Sequence, residues 1–277
     1  MSVAYASSST ANSAGGTASF SKPSGLAVGD LMVCVVIGAG VGTFTPASGF
    51  TPIVSQVLNI GSDGRTEISY KVASSGDVAA STFDFVYSSG VGVVGILLRI
   101  TGADSTHIQT TVSGTPSHNP YSNPALVIVV GATSDNDGTA ATFSSYSVGG
   151  GDSPTMTEQL DDSQTFAMDI SLGVATGLYA SLATITSYSV TNSGSVDDSD
   201  TFLITIPGVV DASGTHTLLS ADADFFDESG SAGTTGTNTL LSADADFFAA
   251  NGKGTTVTQW TNRPKPATSS VTNRPKT

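Results

Sequence analysis

Cysteine is almost missing from this chain: Cys34 is the only one among 277 residues. No intrachain disulfide can form, and its place in the apolar run LMVCVVIGAG points to a reduced, buried thiol rather than redox chemistry. Basic residues are scarce as well, nine Lys and Arg against 23 Asp and Glu, for a net charge of −14. Residues 1–252 hold all the acids and only Lys22, Arg65, Lys71 and Arg99; Lys253, Arg263, Lys265, Arg274 and Lys276 lie beyond. An acidic body with a basic end lacks the positive stripe that duplex binding needs, which excludes direct nucleic-acid contact by the body. The longest apolar runs, around 31–42 and 91–98, fall short of the roughly 20 residues of a membrane helix. The opening MSVAYASSST has neither the basic start nor the apolar stretch of a secretory signal. The expectation is a soluble protein, made in a cytoplasm, with no membrane partner.

Glycine (31 residues), serine, threonine, alanine and valine dominate, and helix formers are few, the palette of strands and tight turns. Thr82, Asp84 and Val86 alternate with Phe83, Phe85 and Tyr87, the period of two that marks a half-buried strand. Continuous runs such as 31–37 fit a strand buried on both faces. Two series of such runs echo each other in order: LMVCVVIGAG and LVIVVGAT, TPIVSQ and PTMTEQ, EISYKVASSG and DISLGVATG, GILLRITG and TFLITIPG. One sheet alone leaves a face open to water, so two halves packed face to face are predicted. The fold class read from this is all-β, a β-sandwich of jelly-roll or immunoglobulin-like topology built from two similar halves, 21–104 and 120–208. Residues 1–20 read as an N-terminal arm or edge strand.

After Pro207 the texture changes. GTHTLLSADADFF at 214–226 recurs as GTNTLLSADADFF at 236–248, and TNRP occurs twice in the last 17 residues. The chain beyond 208 therefore divides into two 22-residue repeats (209–250) and a basic, proline-containing tail (251–277). Each repeat reads as a short strand, THTLL or TNTLL, followed by one helical turn capped by Ser220 or Ser242 with aspartates in its first turn. So small a unit cannot shelter Leu218, Leu219, Phe225 and Phe226, nor Leu240, Leu241, Phe247 and Phe248, by itself. These eight side chains are the expected repeat-packing residues.

Little in the sequence points to chemistry. Asp222 with Asp224, and Asp244 with Asp246, lack the glycine and distal glutamate of a calcium loop and read as helix-capping acids. The clusters Asp161–Asp162 and Asp197–Asp198–Asp200 read as solvated loops. His107, His118 and His216 lie apart, at no metal-ligand spacing. There is no nucleophile elbow and no phosphate loop, since GVGVVG sits inside a strand run. The expectation is a non-enzymatic protein with no catalytic residue, no metal site and no cofactor.

The run KPSGLAVGDLMVCVVIG, then PASGFTPI, ISYKVASSGDVAASTFDF and GVVGILLRITGAD, resembles a β-sandwich module of tailed-bacteriophage structural proteins. Gly29–Met32, Pro46–Thr51, Ser69–Ala73 and Ser81–Phe85 stand where that module has its GD-LL strand, P-x-G-[WF]-T turn, YYKVA strand and YTF strand. Phe50 replaces the commoner tryptophan. The doubled LLSADADFF is similar to tandem L-x-x-D-A-D-x-F repeats of virion proteins. The resemblance implies a virion component, foremost a capsid decoration or cement protein attached through its terminal segments. Its partners would be the major capsid protein or tail components and copies of itself. A tail-fibre or host-recognition protein is the alternative, with a surface glycan as its ligand. Prolines keep the tail extended, so Trp260 would be its apolar anchor, with Arg263, Lys265, Arg274 and Lys276 pairing with acidic groups around it.

Overall fold

The computed structural model describes residues 2–58, 64–135, 138–165, 168–193 and 198–209, together with the backbone of 217–218 and 239–240. The chain divides into two units, Met1–Val210 and Asp211–Thr277. In the first unit the strands are β1 (Ala4–Ser21), β2 (Leu31–Ala39), β3 (Phe44–Thr45), β4 (Thr51–Leu58), β5 (Gly64–Val72), β6 (Thr82–Thr101), β7 (Gln109–Val112), β8 (Ala125–Asp135), β9 (Phe143–Gly149), β10 (Thr157–Gln164), β11 (Asp169–Tyr179), β12 (Ser187–Asn192) and β13 (Asp198–Pro207). One short helix, α1 (Ser75–Ala79), interrupts them. It begins with a capping box, in which Ser74 accepts from the Asp77 N–H and the Asp77 carboxylate accepts from the Ser74 N–H. Those bonds satisfy helix-end donors that nothing else would reach.

Two antiparallel sheets form the all-β sandwich. The first has the order β1-β6-β2-β5-β4, with β3 also on β6, and the second has the order β10-β11-β8-β13-β7. Matching the echoed sequence runs, β2 with β8, β4 with β10, β5 with β11 and β6 with β13, makes the two orders the same. The register agrees: Leu31 lies between Val72 and Ile100, and Leu126 lies between Leu178 and Ile206. The halves repeat each other in structure as they do in sequence. Residues 4–21 are the edge strand of the first sheet, paired along their length with β6.

Every residue of β2 and of β8 is buried. Leu31, Val33, Val35 and Ile37 face Leu126, Ile128, Val130 and Ala132 in the core between the sheets. Each of these side chains contributes on the order of 1.5–3 kcal/mol by leaving water. The opposite faces are covered too. Met32, Cys34 and Val36 pack under Phe20, Phe44, Phe83, Phe85 and Tyr87, supplied by β3 and by the far ends of β1 and β6. Val127, Val129 and Leu203 pack under Val148, Tyr146, Tyr188 and Val190, supplied by the separate two-stranded sheet β9-β12. The alternation expected at 82–87 is present, with Phe83, Phe85 and Tyr87 buried and Thr82, Asp84 and Val86 exposed.

Aromatic rings reach these outer faces because the sheet floor beneath them is glycine. A Cβ on Gly38 would lie 2.6 Å from the Tyr87 ring, and a Cβ on Gly131 would lie 2.5 Å from the Phe143 ring. The two glycines occupy matching strands, β2 and β8, so both halves use the same device. Gly131→Ala is expected to displace Phe143 and lower stability by about 1–3 kcal/mol, read as a lower midpoint in denaturant unfolding. An unchanged midpoint would show that the β9-β12 pair lies loosely on the larger sheet.

Candidate functional site

The strand ends at Leu31, Ile100, Ala125 and Pro207 gather at one end of the sandwich, where the chain also leaves it. Three backbone contacts clamp the departing segment. The Asp104 N–H donates to the Pro207 carbonyl at 2.8 Å, the Val209 N–H donates to the Gly102 carbonyl at 2.8 Å, and Ala103 bridges Gly208. A side chain completes the clamp: the buried Ser122 hydroxyl accepts from the Gly208 N–H at 2.6 Å and donates to the Pro124 carbonyl at 3.0 Å. The start of the chain closes the same site. Val3 is fully buried in the intersheet core, and Gly102, at φ +64°, lets Ser2 pass where a Cβ would stand 2.5 Å from the Ser2 carbonyl oxygen. Only glycine takes that backbone conformation without cost.

The loop beside the clamp is held rigidly. Asp104 accepts from Thr106 N–H at 2.9 Å and Oγ1 at 2.6 Å and lies 2.7 Å from His107 Nδ1. Burial raises the Asp104 carboxyl, but these bonds outweigh it and hold it below the ordinary carboxylate range. The His107 ring lies 4.9 Å from that of Tyr121. Val28, Val72, Tyr121, Leu178, Leu182 and Val209 are exposed around this end. The arrangement fixes the backbone of the first unit through Val209.

Most of the anticipated site residues fall beyond it. Trp260, Arg263, Lys265, Arg274 and Lys276 lie outside the described residues, as do Leu219, Phe225, Phe226, Leu241, Phe247 and Phe248. Leu218 and Leu240 belong to two short strands of the second unit, β14 (Thr217–Leu218) and β15 (Thr239–Leu240). These pair in parallel, Thr217 with Thr239 and Leu218 with Leu240, so equivalent positions of the two repeats lie side by side.

Within the sandwich the charged and titratable groups are engaged in holding the fold. The Asp161–Asp162 and Asp198–Asp200 pairs, expected in solvated loops, lie in strands β10 and β13. Asp161 accepts from the Phe143 N–H at 3.2 Å, Asp162 from Asn12 Nδ2 at 2.9 Å, and Asp200 from the Ser113 hydroxyl at 2.6 Å. Asp197, Asp222, Asp224, Asp244, Asp246 and His216 lie outside the described residues. Buried His118 spans Thr111 and Thr205, and its burial holds the imidazole pKa below the usual histidine value, opposed by a hydrogen bond to the Thr110 backbone. The four cations are occupied as well: Lys71 and Arg99 pair with Asp77 and Asp30 at 2.6 Å, Lys22 donates to the Val78 carbonyl, and Arg65 donates to Ser55. Among the described residues no three His, Cys, Asp or Glu side chains are placed to hold a metal ion. Sequence reasoning passed over Gly102, Ser122 and Gly208, whose signal is the glycine ending both RITG and TIPG.

Glu67 is the exception to this pairing. It lies on the covered face of the first sheet between Val36 and Ser55, 4% exposed, and its Oε1 has no hydrogen-bond partner among the described residues. Burial pushes its carboxyl up to about 7 against the pull of Arg65, and Glu67 together with burial pushes the Cys34 thiol up as well. No family model, no curated protein and no solved structure matches this chain.

Two measurements check these assignments. A raised carboxyl binds its proton more tightly in the folded chain, so Glu67 costs nothing at acid pH. Its penalty grows as pH climbs from the ordinary 4.5 to about 7, reaching about 3 kcal/mol. Glu67→Gln is therefore expected to gain stability over the parent at about pH 8 and to match it near about pH 4; a gain independent of pH would contradict the assignment. Ser122→Ala leaves the Gly208 N–H buried without its acceptor, a loss of about 1–3 kcal/mol. Faster amide exchange at Gly208 and quicker proteolysis around Val209 are expected, and unchanged exchange would show that the clamp does not depend on Ser122.

Proposed function

We propose that this chain is a non-enzymatic structural component of a virus particle, a decoration protein whose sandwich is a rigid acidic body and whose terminal segment attaches it to the shell. The observation that carries the reading is the parallel pairing of Thr217–Leu218 with Thr239–Leu240. A parallel connection needs a dozen or more intervening residues, which a 22-residue repeat supplies, so the duplicated segment is built to stack on its own kind. Pairing equivalent segments is how repeat units bury faces that one unit cannot cover alone. The clamp around Gly208 adds support, since a fixed point of departure transmits an attachment to the body without slack. The engagement of His118, Asp161, Asp200 and all four cations in structural bonds also favours a scaffold over a catalyst.

On this reading the partners are the major capsid protein and copies of the chain itself, and the basic tail meets acidic surface on the shell. The test is quantitative mass spectrometry of particles of the virus that encodes the chain, with the full-length protein and with residues 253–277 deleted. Copies on the scale of the capsid subunits, lost on deletion while the isolated truncated protein remains folded, are expected. A handful of copies per particle would favour a tail fibre instead, and undiminished incorporation of the truncated protein would remove the tail from the attachment.

A further inference from the structure

The sandwich has four strand edges, and three of them are blunted. Strand β4 carries Pro52 and a register shift beside it. Strand β7 is four residues long. Strand β10 carries Glu158, Asp161 and Asp162 and a register shift between Glu158 and Leu160. Proline, shortness, charge and bulges are the features by which edge strands avoid pairing with other chains. Strand β1 has none of the first three. It runs for 18 residues without a proline or a charge, and the first charged side chain of the protein is Lys22. Its register shifts fall at Tyr5/Ser7 and Gly15/Thr17, leaving Ser7 to Ser13 in unbroken register with Arg99 to Val93 of β6. No strand lies on its outer side among the described residues.

We infer that the outer edge of β1 is a self-association surface, on which a second copy of this chain adds its own β1 in antiparallel pairing. Two features select a second copy over another partner. A basic partner would be recognised by carboxylates at the contact, and β1 itself supplies none, the Asp162 carboxylate of β10 being engaged at its Asn12; on an acidic body, a strand without charge is where a second acidic body can approach with least repulsion. The segment Ala6-Ser7-Ser8-Ser9-Thr10-Ala11 also reads nearly the same in both directions. Folded about an axis between Ser8 and Ser9, it sets Ser8 opposite Ser9, Ser7 opposite Thr10 and Ala6 opposite Ala11, small side chains and hydroxyl pairs that fit face to face. The Ser7 and Ser9 hydroxyls donate to the Ser24 and Ser21 carbonyls of the same chain, so across the contact they accept from the facing Thr10 and Ser8 hydroxyls. The pairing joins two first sheets into one continuous sheet, and it stands apart from any role of the C-terminal repeats.

Sedimentation velocity of the full-length chain over a range of concentrations and salt tests this. A monomer–dimer equilibrium that tightens with salt is expected, because salt screens the repulsion between acidic bodies. The double variant Ser8→Glu/Thr10→Glu sets added charge along the contact and should raise the dimer Kd by about tenfold or more, with its thermal midpoint close to that of the parent. Amide exchange of Ser7–Ala11 should slow as the parent is concentrated, and stay fast in the variant. A parent that remains monomeric at all concentrations would overturn the proposal, as would a variant that dimerises as well as the parent. If the variant proves unstable, slowed exchange at Ser7–Ala11 in the concentrated parent decides the matter alone.

Discussion

The architecture rests on one constraint, that β2 and β8 are buried on both faces. A strand in that position has no side chain that water can solvate, so each sheet needs a cover inside and out. The inner cover is the other sheet. The outer covers are improvised from within each half, by the folded-over ends of β1 and β6 with β3 in one and by the two-stranded sheet β9-β12 in the other. Much else follows. Gly38 and Gly131 are glycines because aromatic rings from the covers lie on them, and the few ionic contacts of the body, Arg99 with Asp30 and Lys71 with Asp77, tie connecting segments down over the first sheet.

Such a plan requires the polar groups it buries to find hydrogen bonds. His118, buried between β7 and β13, closes hydrogen bonds to both, and at the surface Asp162 joins the edge strands β10 and β1 through Asn12. Glu67 is a buried carboxylate that works against the fold through its raised pKa, and burial raises the Asp161 and Asp200 carboxyls as well. The clamp at Gly102, Ser122 and Gly208 instead serves the boundary of the unit, holding Ser2 and Val3 beside the segment that ends at Val209.

The duplicated runs were legible because doubly buried strands must be continuously apolar, a pattern short enough to see in LMVCVVIGA and ALVIVVGA. Their order also gave the two halves and the face-to-face packing. What escaped was what covers them. Strand β9 alternates Ser with Tyr and Val too weakly for its pattern to stand out, β7 has four residues, and β1 is written in serine, threonine, alanine and glycine, which look the same in an arm as in a strand. The aspartates of β10 and β13 were misplaced in loops because the donors that meet them, such as Asn12 and Ser113, are distant in sequence. The repeats stood out by identity alone. Their strand positions at Thr217 and Thr239 match the short strands read from THTLL and TNTLL, while the residues read as their packing and anchoring groups lie outside what the structure describes, apart from the backbone of Leu218 and Leu240.

The central claim is a division of labour, with a chemically quiet sandwich and a terminal segment that makes the attachment. An electron cryomicroscopy reconstruction of the particle carrying this chain tests it most directly. The account predicts that residues beyond Gly208 lie against the shell and that the sandwich projects outward from its clamped end. A sandwich seated on the shell through its sheet faces, with the repeats directed into solvent, would contradict it.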